Sequence, residues 1–200
     1  MYRQLIISIA ILLFTTTIGS SQINLQKELS TNGRVSHLGI VGKQAPELKV
    51  KQWVDAEGKV TEPVQLADYK GKFIVLYGFQ AWCPGCHSKG LPALKRMSDE
   101  LKDNANVAFI AIQTVFEGAH ANTYERMVEI KDQYGINIPF GHDHDPEGTS
   151  RISSSTMNSY RSGGTPWYIL IDQEGLVVFN DFHLDVDKTI DYLKTINANQ

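Results

Sequence analysis

Residues 73–86 read Phe-Ile-Val-Leu-Tyr-Gly-Phe-Gln-Ala-Trp-Cys-Pro-Gly-Cys, and this stretch decides the fold. Its first seven residues are almost continuously apolar, which is typical of a strand buried on both faces of a sheet. Pro84 suits the first position of a helix, where a missing N–H costs nothing, and apolar residues then recur every three or four positions. The sequence therefore predicts a buried strand over 73–79 that leads through two cysteines into a helix over 84–101.

Further strands and helices are predicted on both sides of this unit. The sequence predicts an edge strand over 49–54 with a hairpin turn at 55–58, a short turn over 66–71, strands over 107–112, 137–140, 167–172 and 176–180, and helices over 124–134, 151–160 and 186–196. This order of elements implies an α/β fold of three layers with a central mixed β-sheet. The two cysteines then lie where a central strand ends, which is the usual place for a functional site in such sheets.

The composition fits one folded domain and sets limits on its partners. Of the 200 residues, 42% are hydrophobic and 20% are charged, which is enough apolar material for a packed core. The net charge of −3 is spread along the chain rather than collected into a basic face, so we expect no binding of nucleic acid. Residues 22–44 are polar and have no clear period, and we interpret them as a leader to a single domain over 45–200.

The N-terminus has the pattern of a targeting segment. Arg3 supplies a short positive region, residues 5–14 are apolar apart from one serine, and small residues precede a cleavage point after Ser21. An apolar run of about 10 residues is too short to cross a bilayer, which needs roughly 20. We therefore predict a signal peptide over 1–21 and an exported protein, in the periplasm or another extracytoplasmic space. A buried N-terminal helix is the alternative.

Cys83 and Cys86 are the only cysteines of the chain, and two residues separate them. A loop this short restrains the unfolded chain little, so the pair indicates redox chemistry rather than a structural disulfide. A helix N-terminus stabilises a thiolate, and Lys89, Lys95 and Arg96 add positive charge to the same helix. We expect the Cys83 sulfur to face solvent and to attack a partner's disulfide. The more buried Cys86 then resolves the mixed disulfide.

Residues 79–86, followed far downstream by Gly-Thr-Pro at 164–166, resemble the thioredoxin superfamily. The resemblance covers roughly residues 45–196 and is strongest to the TlpA-like and AhpC/TSA-related redoxin group of exported proteins. It implies a thioredoxin-like fold and a dithiol that exchanges disulfides with other proteins.

The resemblance also implies roles for individual residues. Cys83 and Cys86 would be the catalytic pair. Pro166 would follow a cis peptide bond and lie against the two cysteines, and Thr165 would offer backbone hydrogen bonds to a bound polypeptide. Trp82 would shield the first sulfur, so that Trp82, Thr165 and Pro166 together form the substrate-binding surface.

The sequence departs from the family pattern in two places. Many thioredoxins carry an aspartate in the central strand, where this chain has Tyr77 and no acid. Glu117 is our candidate for the proton relay instead, with a solvated loop carboxylate as the alternative. The helix proline usually comes five residues after the second cysteine, whereas Pro92 comes six residues after Cys86, which predicts an extra residue and a local bulge near Gly90.

These observations predict a thiol-disulfide oxidoreductase that needs no bound cofactor, because its electrons reside in the cysteine pair. We expect a monomer that exchanges disulfides with a disulfide-bearing protein, and a membrane-bound electron donor or another redox partner that recharges it. The direction of the reaction stays open. Stabilisation of the thiolate favours an oxidant, whereas the resemblance to TlpA-like proteins favours a reductase.

A thiol-dependent peroxidase with antioxidant activity is the nearest alternative function. The AhpC/TSA resemblance includes peroxiredoxins, in which the peroxide-reactive cysteine matches Cys86 and a threonine takes the position of Cys83. This chain has cysteine at both positions and the thioredoxin-type pair Thr165-Pro166 downstream, so disulfide exchange remains our prediction.

Three further alternatives belong to other classes. Residues 83–87 match Cys-x-x-Cys-His, the attachment pattern of c-type haem. The His-Asp-His-Asp run at 142–145 could hold a metal ion together with the cysteines, or it could be a polar loop after the strand over 137–140. His87 could tune the thiolate or face solvent, and a binding module could use Trp82 and Trp167 as partner contacts.

Overall fold

The computed structural model describes residues 24–34, 36–147 and 152–196. Within these ranges the central element is a mixed sheet of seven strands in the order β2-β1-β5-β4-β3-β6-β7. The strands are β1 (Gln52–Val54), β2 (Val60–Thr61), β3 (Phe73–Phe79), β4 (Val107–Thr114), β5 (Phe140–Asp143), β6 (Trp167–Ile171) and β7 (Val177–Asp181). The neighbours β3, β4 and β5 run parallel, and the remaining pairs are antiparallel.

Helices cover both faces of this sheet. They are α1 (residues 24–29), α2 (Leu91–Glu100), α3 (Tyr124–Tyr134), α4 (Ser155–Tyr160) and α5 (Val186–Lys194), with short 3-10 turns at Leu66–Tyr69 and Ala119–Ala121. Two apolar clusters hold the three layers together, one under α1, α2, α3 and α5 and the other under α4 and the segment before β1. The predicted α/β fold with a central mixed sheet is confirmed.

The side chains of β3 explain why this strand lies at the centre. All seven of its residues are buried, and they alternate between the two apolar clusters: Val75 and Tyr77 point to one side, Ile74 and Leu76 to the other. The bounds predicted from the apolar run match the strand. β3 lies between β4 and β6 in the strand order. The loop after β3 therefore leaves the sheet among the strand ends and not beside an edge strand.

The strand predicted over 137–140 is displaced, because β5 spans Phe140–Asp143. Pro139 has no N–H to give to a ladder, so pairing begins after it. The residues that do pair include Gly141 and Asp143, which have low strand propensity. Gly141 lies under the ring of Trp53, where a β-carbon would come within 2.9 Å of the indole. Tertiary packing therefore sets the position of this strand, which differs from the position that the local sequence pattern predicts.

One other expectation needs correction. The strand predicted over 49–54 is shorter, and it is not an edge strand, because β2 pairs along its outer side through the predicted hairpin turn. Within the segment interpreted as a leader, Leu29 is fully buried and Gln44 forms a β-bridge with Leu176. The predicted signal peptide over 1–21 lies outside the described residues. No helix within the described ranges is long and apolar enough to cross a membrane.

The helix predicted over 151–160 begins at Ser155, and Asp143 at the end of β5 fixes this start. The Asp143 carboxylate accepts hydrogen bonds from the hydroxyls of Ser154 (2.6 Å) and Ser155 (3.0 Å) and from the backbone N–H groups of Ser155 (3.1 Å) and Thr156 (2.7 Å). Since the first N–H groups of a helix have no partner within it, a buried carboxylate at this point joins the helix to the sheet.

Asp143→Ala should lower the free energy of unfolding by about 2–3 kcal/mol, because four donors at the start of α4 lose their acceptor. Urea unfolding followed by circular dichroism measures this loss. Asp99→Ala is the matched control, since it removes an exposed carboxylate that pairs with Lys95 one helical turn away and should cost at most about 0.5 kcal/mol. Equal losses in the two variants would contradict the anchoring role of Asp143.

Candidate active site

Cys83 lies directly before the helix, at the position of its N-terminal cap. Helical residues begin at Pro84 and continue to the end of α2. The Cys83 sulfur accepts a hydrogen bond from the backbone N–H of Cys86 at 3.2 Å. An N–H group at this end of a helix carries partial positive charge, and it stabilises negative charge on the sulfur that it contacts.

The two cysteines are free thiols with different surroundings. Cys86 is fully buried and Cys83 is 7% exposed. The order of burial follows the expectation, but Cys83 does not face open solvent. Its thiol points to the backbone carbonyl of Thr165 at 3.6 Å, which covers the sulfur from the neighbouring loop.

Burial has a large effect on the Cys86 thiol. Loss of solvation, followed by the contact with Cys83, raises the pKa of Cys86 to about 12. Cys86 therefore keeps its proton at neutral pH. Of the two sulfurs, Cys83 is the one with both an N–H donor and an opening to the surface.

The loop before β6 packs against the start of the helix. The peptide bond between Thr165 and Pro166 is cis, as the family resemblance implies. The Pro166 ring lies against Gly85, where a β-carbon would come within 3.3 Å of its Cδ, and against Gly90, where a β-carbon would come within 2.8 Å of its Cβ. The structure thus brings Thr165 and Pro166 to the cysteines, and their role in substrate binding stays a prediction.

The bulge predicted near Gly90 is confirmed, because Cys86–Gly90 forms a π-helical turn. Such a turn accommodates one extra residue, which accounts for the displacement of Pro92. A side chain at Gly90 would overlap the hydroxyl of Tyr77 as well as Pro166. Glycine is therefore required at the position where the extra residue turns toward β3.

Trp82 lies on the surface beside the cysteines, 46% exposed. Its indole nitrogen packs against Gly118, at 3.2 Å from the place of a β-carbon there. Glu117, the candidate proton relay, adjoins this glycine, but its side chain is exposed and its backbone carbonyl makes the contacts with the site. A relay through the Glu117 carboxylate stays a prediction.

Asn122 holds the two loops around Trp82 together, and sequence reasoning missed it. Its side-chain oxygen accepts the Ala81 N–H at 2.7 Å, and its amide donates to the carbonyls of Glu117 (3.1 Å) and Gly118 (3.0 Å). Gln80 donates to the Glu117 carbonyl as well, at 3.1 Å. Nothing in the local pattern around Asn122 marks it, because the loop before Cys83 is far away in sequence and meets it only in the folded chain.

One of the two alternatives for His87 was that it faces solvent, and the structure does not place it so. Its Nε2 lies 2.6 Å from the Ala81 carbonyl and its Nδ1 lies 2.8 Å from the hydroxyl of Tyr134. A carbonyl only accepts, so Nε2 carries a proton. His87 thus fastens the first helical turn to the loop before Cys83. With both ring nitrogens engaged, neither is free to bind the iron of a c-type haem.

Two of the three cations expected to support the thiolate, Lys95 and Arg96, are paired on the outer face of α2, whereas Lys89 is exposed in the turn before it and forms no ion pair with any residue that the structure describes. Lys95 pairs with Asp99, and Arg96 pairs with Glu100 (2.9 Å) and with Asp187 of α5 (2.8 Å). Their charges are therefore compensated by exposed carboxylates. The backbone N–H of Cys86 is the direct electrostatic support of the Cys83 sulfur.

Residues 142–145 do not form the metal site that was one alternative. His142 and Asp143 belong to β5, and the oxygens of Asp143 accept from α4. Burial lowers the pKa of His142. Within the described ranges, no three His, Cys, Asp or Glu residues are placed to share a metal ion.

Comparison with known proteins supplies the family. The sequence profile of the AhpC/TSA family matches residues 41–180. The chain is 30% identical to the thiol-disulfide oxidoreductase ResA of Bacillus cereus over 69% of its own length and 67% of that protein. It is also 30% identical to the peroxiredoxin Bcp of Bacillus subtilis, over 50% of its own length and 54% of that protein.

Among solved structures, a thiol-disulfide isomerase from Corynebacterium glutamicum is 31% identical, with a TM-score of 0.64 over 76% of this chain and 98% of that one. The chain belongs to the AhpC/TSA family. Together with the Cys-x-x-Cys pair, these relatives identify it as a thiol-disulfide oxidoreductase.

The burial of Cys86 predicts its reactivity. In a Cys83→Ser variant, the rate of Cys86 alkylation by iodoacetamide should keep rising well above pH 9.0, the ordinary value for a thiol, because the reactive thiolate forms only near the raised pKa. Cys83 in a Cys86→Ser variant is the control and should react faster at neutral pH. Equal rates at neutral pH would contradict the asymmetry of the pair.

Proposed function

We propose that this member of the AhpC/TSA family is an exported reductase of protein disulfides, with Cys83 as nucleophile and Cys86 as resolving thiol. One observation carries the proposal: the Cys83 sulfur caps a helix, accepts the Cys86 N–H, and lies beneath the Thr165 carbonyl, while Cys86 is buried behind it. One sulfur is thus activated near the surface, and the other is kept away from solvent until the first has reacted.

The exchange proceeds in two balanced steps. The Cys83 thiolate attacks a sulfur of the partner's disulfide, a bond forms between the two proteins, and the partner's second sulfur leaves as a thiolate, which takes up the proton that Cys83 had released to water. Cys86 then attacks Cys83, the mixed disulfide breaks, and the partner leaves fully reduced. The two electrons that the partner gains come from the cysteine pair, which ends as a disulfide.

The paired cations support the reductase direction. A dithiol becomes a strong oxidant when its reduced form is strongly stabilised. Here Lys95 and Arg96 are compensated by carboxylates, and Cys86 stays a neutral thiol. Apart from the exposed Lys89, the reduced form therefore has one direct source of stabilisation, the N–H bond to Cys83, which favours a pair that gives its electrons away.

The exposed surface around Cys83 suits a polypeptide partner. Trp82 offers an exposed apolar ring on one side of the sulfur, and Thr165 and Pro166 lie partly exposed on the other. A disulfide-bearing segment that crosses between them would bring its sulfur to Cys83. The N-terminal targeting pattern supports export, and outside the cytoplasm a reductase needs a membrane-bound electron donor to regenerate its dithiol.

Peroxide reduction is the second candidate, since the Bacillus subtilis relative is named a peroxiredoxin. The family resemblance matches the peroxide-reactive cysteine of such proteins to Cys86. A peroxide is attacked by an accessible thiolate, whereas Cys86 is fully buried and its pKa is raised to about 12. The geometry therefore favours disulfide exchange over peroxide reduction.

Single-cysteine variants test the two roles. Cys86→Ala should accumulate mixed disulfides through Cys83, because the first bond forms and nothing resolves it. Cys83→Ala should accumulate few, because the remaining sulfur is buried. Electrophoresis without reductant after incubation with extracytoplasmic proteins measures the trapped species. Equal trapping by both variants would show that the roles are assigned wrongly.

The reduction potential tests the direction. Equilibration of the wild-type protein in graded thiol and disulfide buffers, followed by alkylation of free thiols, should give a two-electron transition near about −270 mV, as for a thioredoxin-like reductant. A transition near about −120 mV, typical of a strong oxidant such as DsbA, would reverse the proposed direction. The Cys83→Ala variant is the control and should show no such transition.

A further inference from the structure

Tyr77 has a hydroxyl without a partner in the middle of the site. The residue lies in β3, is fully buried, and points into the apolar cluster below the helix. Within the described ranges its hydroxyl has no partner at hydrogen-bonding geometry, and the sulfur of Cys86 is the polar group close to it. A buried polar group left unpaired is unfavourable by about 1–3 kcal/mol, so its retention in the core calls for a functional explanation.

The surroundings of this hydroxyl place it beside the resolving thiol. It lies against Gly90 of the π-helical turn, close to the Pro166 ring, where no side chain could fit. Cys86 begins the same turn, and after burial the proximity of its sulfur is the next cause that raises the pKa of Tyr77. The second phenol nearby, Tyr168, has its ring 5.1 Å away and directs its hydroxyl to the Gly90 carbonyl at 3.5 Å.

We propose that the Tyr77 hydroxyl donates a hydrogen bond to the Cys86 sulfur when that sulfur becomes a thiolate and attacks the mixed disulfide. The inference rests on the proposed function and concerns its second step. In that step the bond between Cys86 and Cys83 forms and the bond between Cys83 and the partner breaks. The proton that Cys86 loses ends on the released sulfur, and Tyr77 keeps its own.

Tyr77 acts as a donor rather than as a base. Burial, followed by the proximity of Cys86, raises the pKa of Tyr77 well above its ordinary value. A phenol that is so weak an acid stays protonated while a thiolate forms beside it. Water is excluded around Cys86, so it cannot solvate the transient negative charge on the Cys86 thiolate. The Tyr77 hydroxyl, which is unused in the dithiol form, then donates a hydrogen bond to that charge.

The extra residue that displaces Pro92 from its usual position in the family is part of the same arrangement. The π-helical turn inserts one residue and brings Gly90, which has no side chain, over the tyrosine ring. The space between helix and strand is thereby long enough for a phenol in the place where related proteins carry a short acid. Tyr77 and the extra residue near Gly90 are two parts of one arrangement.

Tyr77→Phe tests the inference, with the disulfide of dithionitrobenzoate as the probe. Mixing with the dithiol protein releases one thionitrobenzoate when Cys83 attacks and a second when Cys86 resolves, and stopped-flow absorbance separates the two phases. With this acidic thiol the Cys86 proton passes to the buffer. We expect Tyr77→Phe to keep the first rate and to slow the second by about tenfold, as for the loss of one hydrogen bond to a charged group.

Stability separates this role from a structural one. Because the hydroxyl has no partner in the dithiol form, Tyr77→Phe should leave the urea midpoint unchanged or raise it, while the second phase slows. Tyr160→Phe is the matched control. It removes a buried hydroxyl bonded to the Pro46 carbonyl (2.6 Å) on the opposite face of the sheet, so its urea midpoint should fall and its two phases should keep their rates.

Several outcomes would overturn the inference. The hydroxyl does not serve the resolving sulfur if the second phase of Tyr77→Phe is unchanged or if both phases slow equally. A lowered urea midpoint of this variant would show the same. A wild-type protein that never releases the second thionitrobenzoate would overturn the proposed function itself, and the inference with it. If the wild-type protein releases both thionitrobenzoates and Tyr77→Phe releases them at the same rates, only the inference about Tyr77 is overturned.

Discussion

The contact between the Pro166 loop and the first turns of the helix is the constraint on which the site depends. Gly90 leaves room for Pro166, since a β-carbon there would come within 2.8 Å of the ring, and Gly85 also approaches the ring closely. This contact brings the Thr165 carbonyl over the Cys83 sulfur and closes Cys86 off from water. The difference in burial between the two thiols, on which the proposed order of the reaction rests, is therefore a consequence of backbone packing.

Hydrogen bonds to the loops on either side hold this arrangement in place. His87 ties the helix to the Ala81 carbonyl, and Asn122 takes the N–H of the same residue. The strand that ends at Phe79 thus continues into a loop whose backbone groups are bonded on both sides. A sulfur that must meet a partner's disulfide benefits from such support, because its position is then set before the partner arrives.

The family contains proteins named for disulfide exchange and proteins named for peroxide reduction, and this chain is related to both. By the family resemblance, the peroxide-reactive position matches Cys86, three residues after the cysteine with which disulfide exchange would begin. In this structure Cys83 caps the helix, whereas Cys86 is fully buried near Tyr77. This burial suits a thiol that reacts only after a partner is already attached to Cys83.

The sequence by itself determined the parts of the protein that depend on local pattern. The apolar run of β3, the helix that starts at Pro84 and the extra residue near Gly90 were all predicted, because hydrophobic period and proline position act over a few residues. The Cys-x-x-Cys spacing likewise indicated redox chemistry. Only the tertiary structure decided the start of β5, the packing of residues 24–34 onto the domain, and the partners of Asn122, His87 and Tyr77. Each of these depends on groups far apart in the chain, and a contact between such groups has no signature in the residues that surround either one.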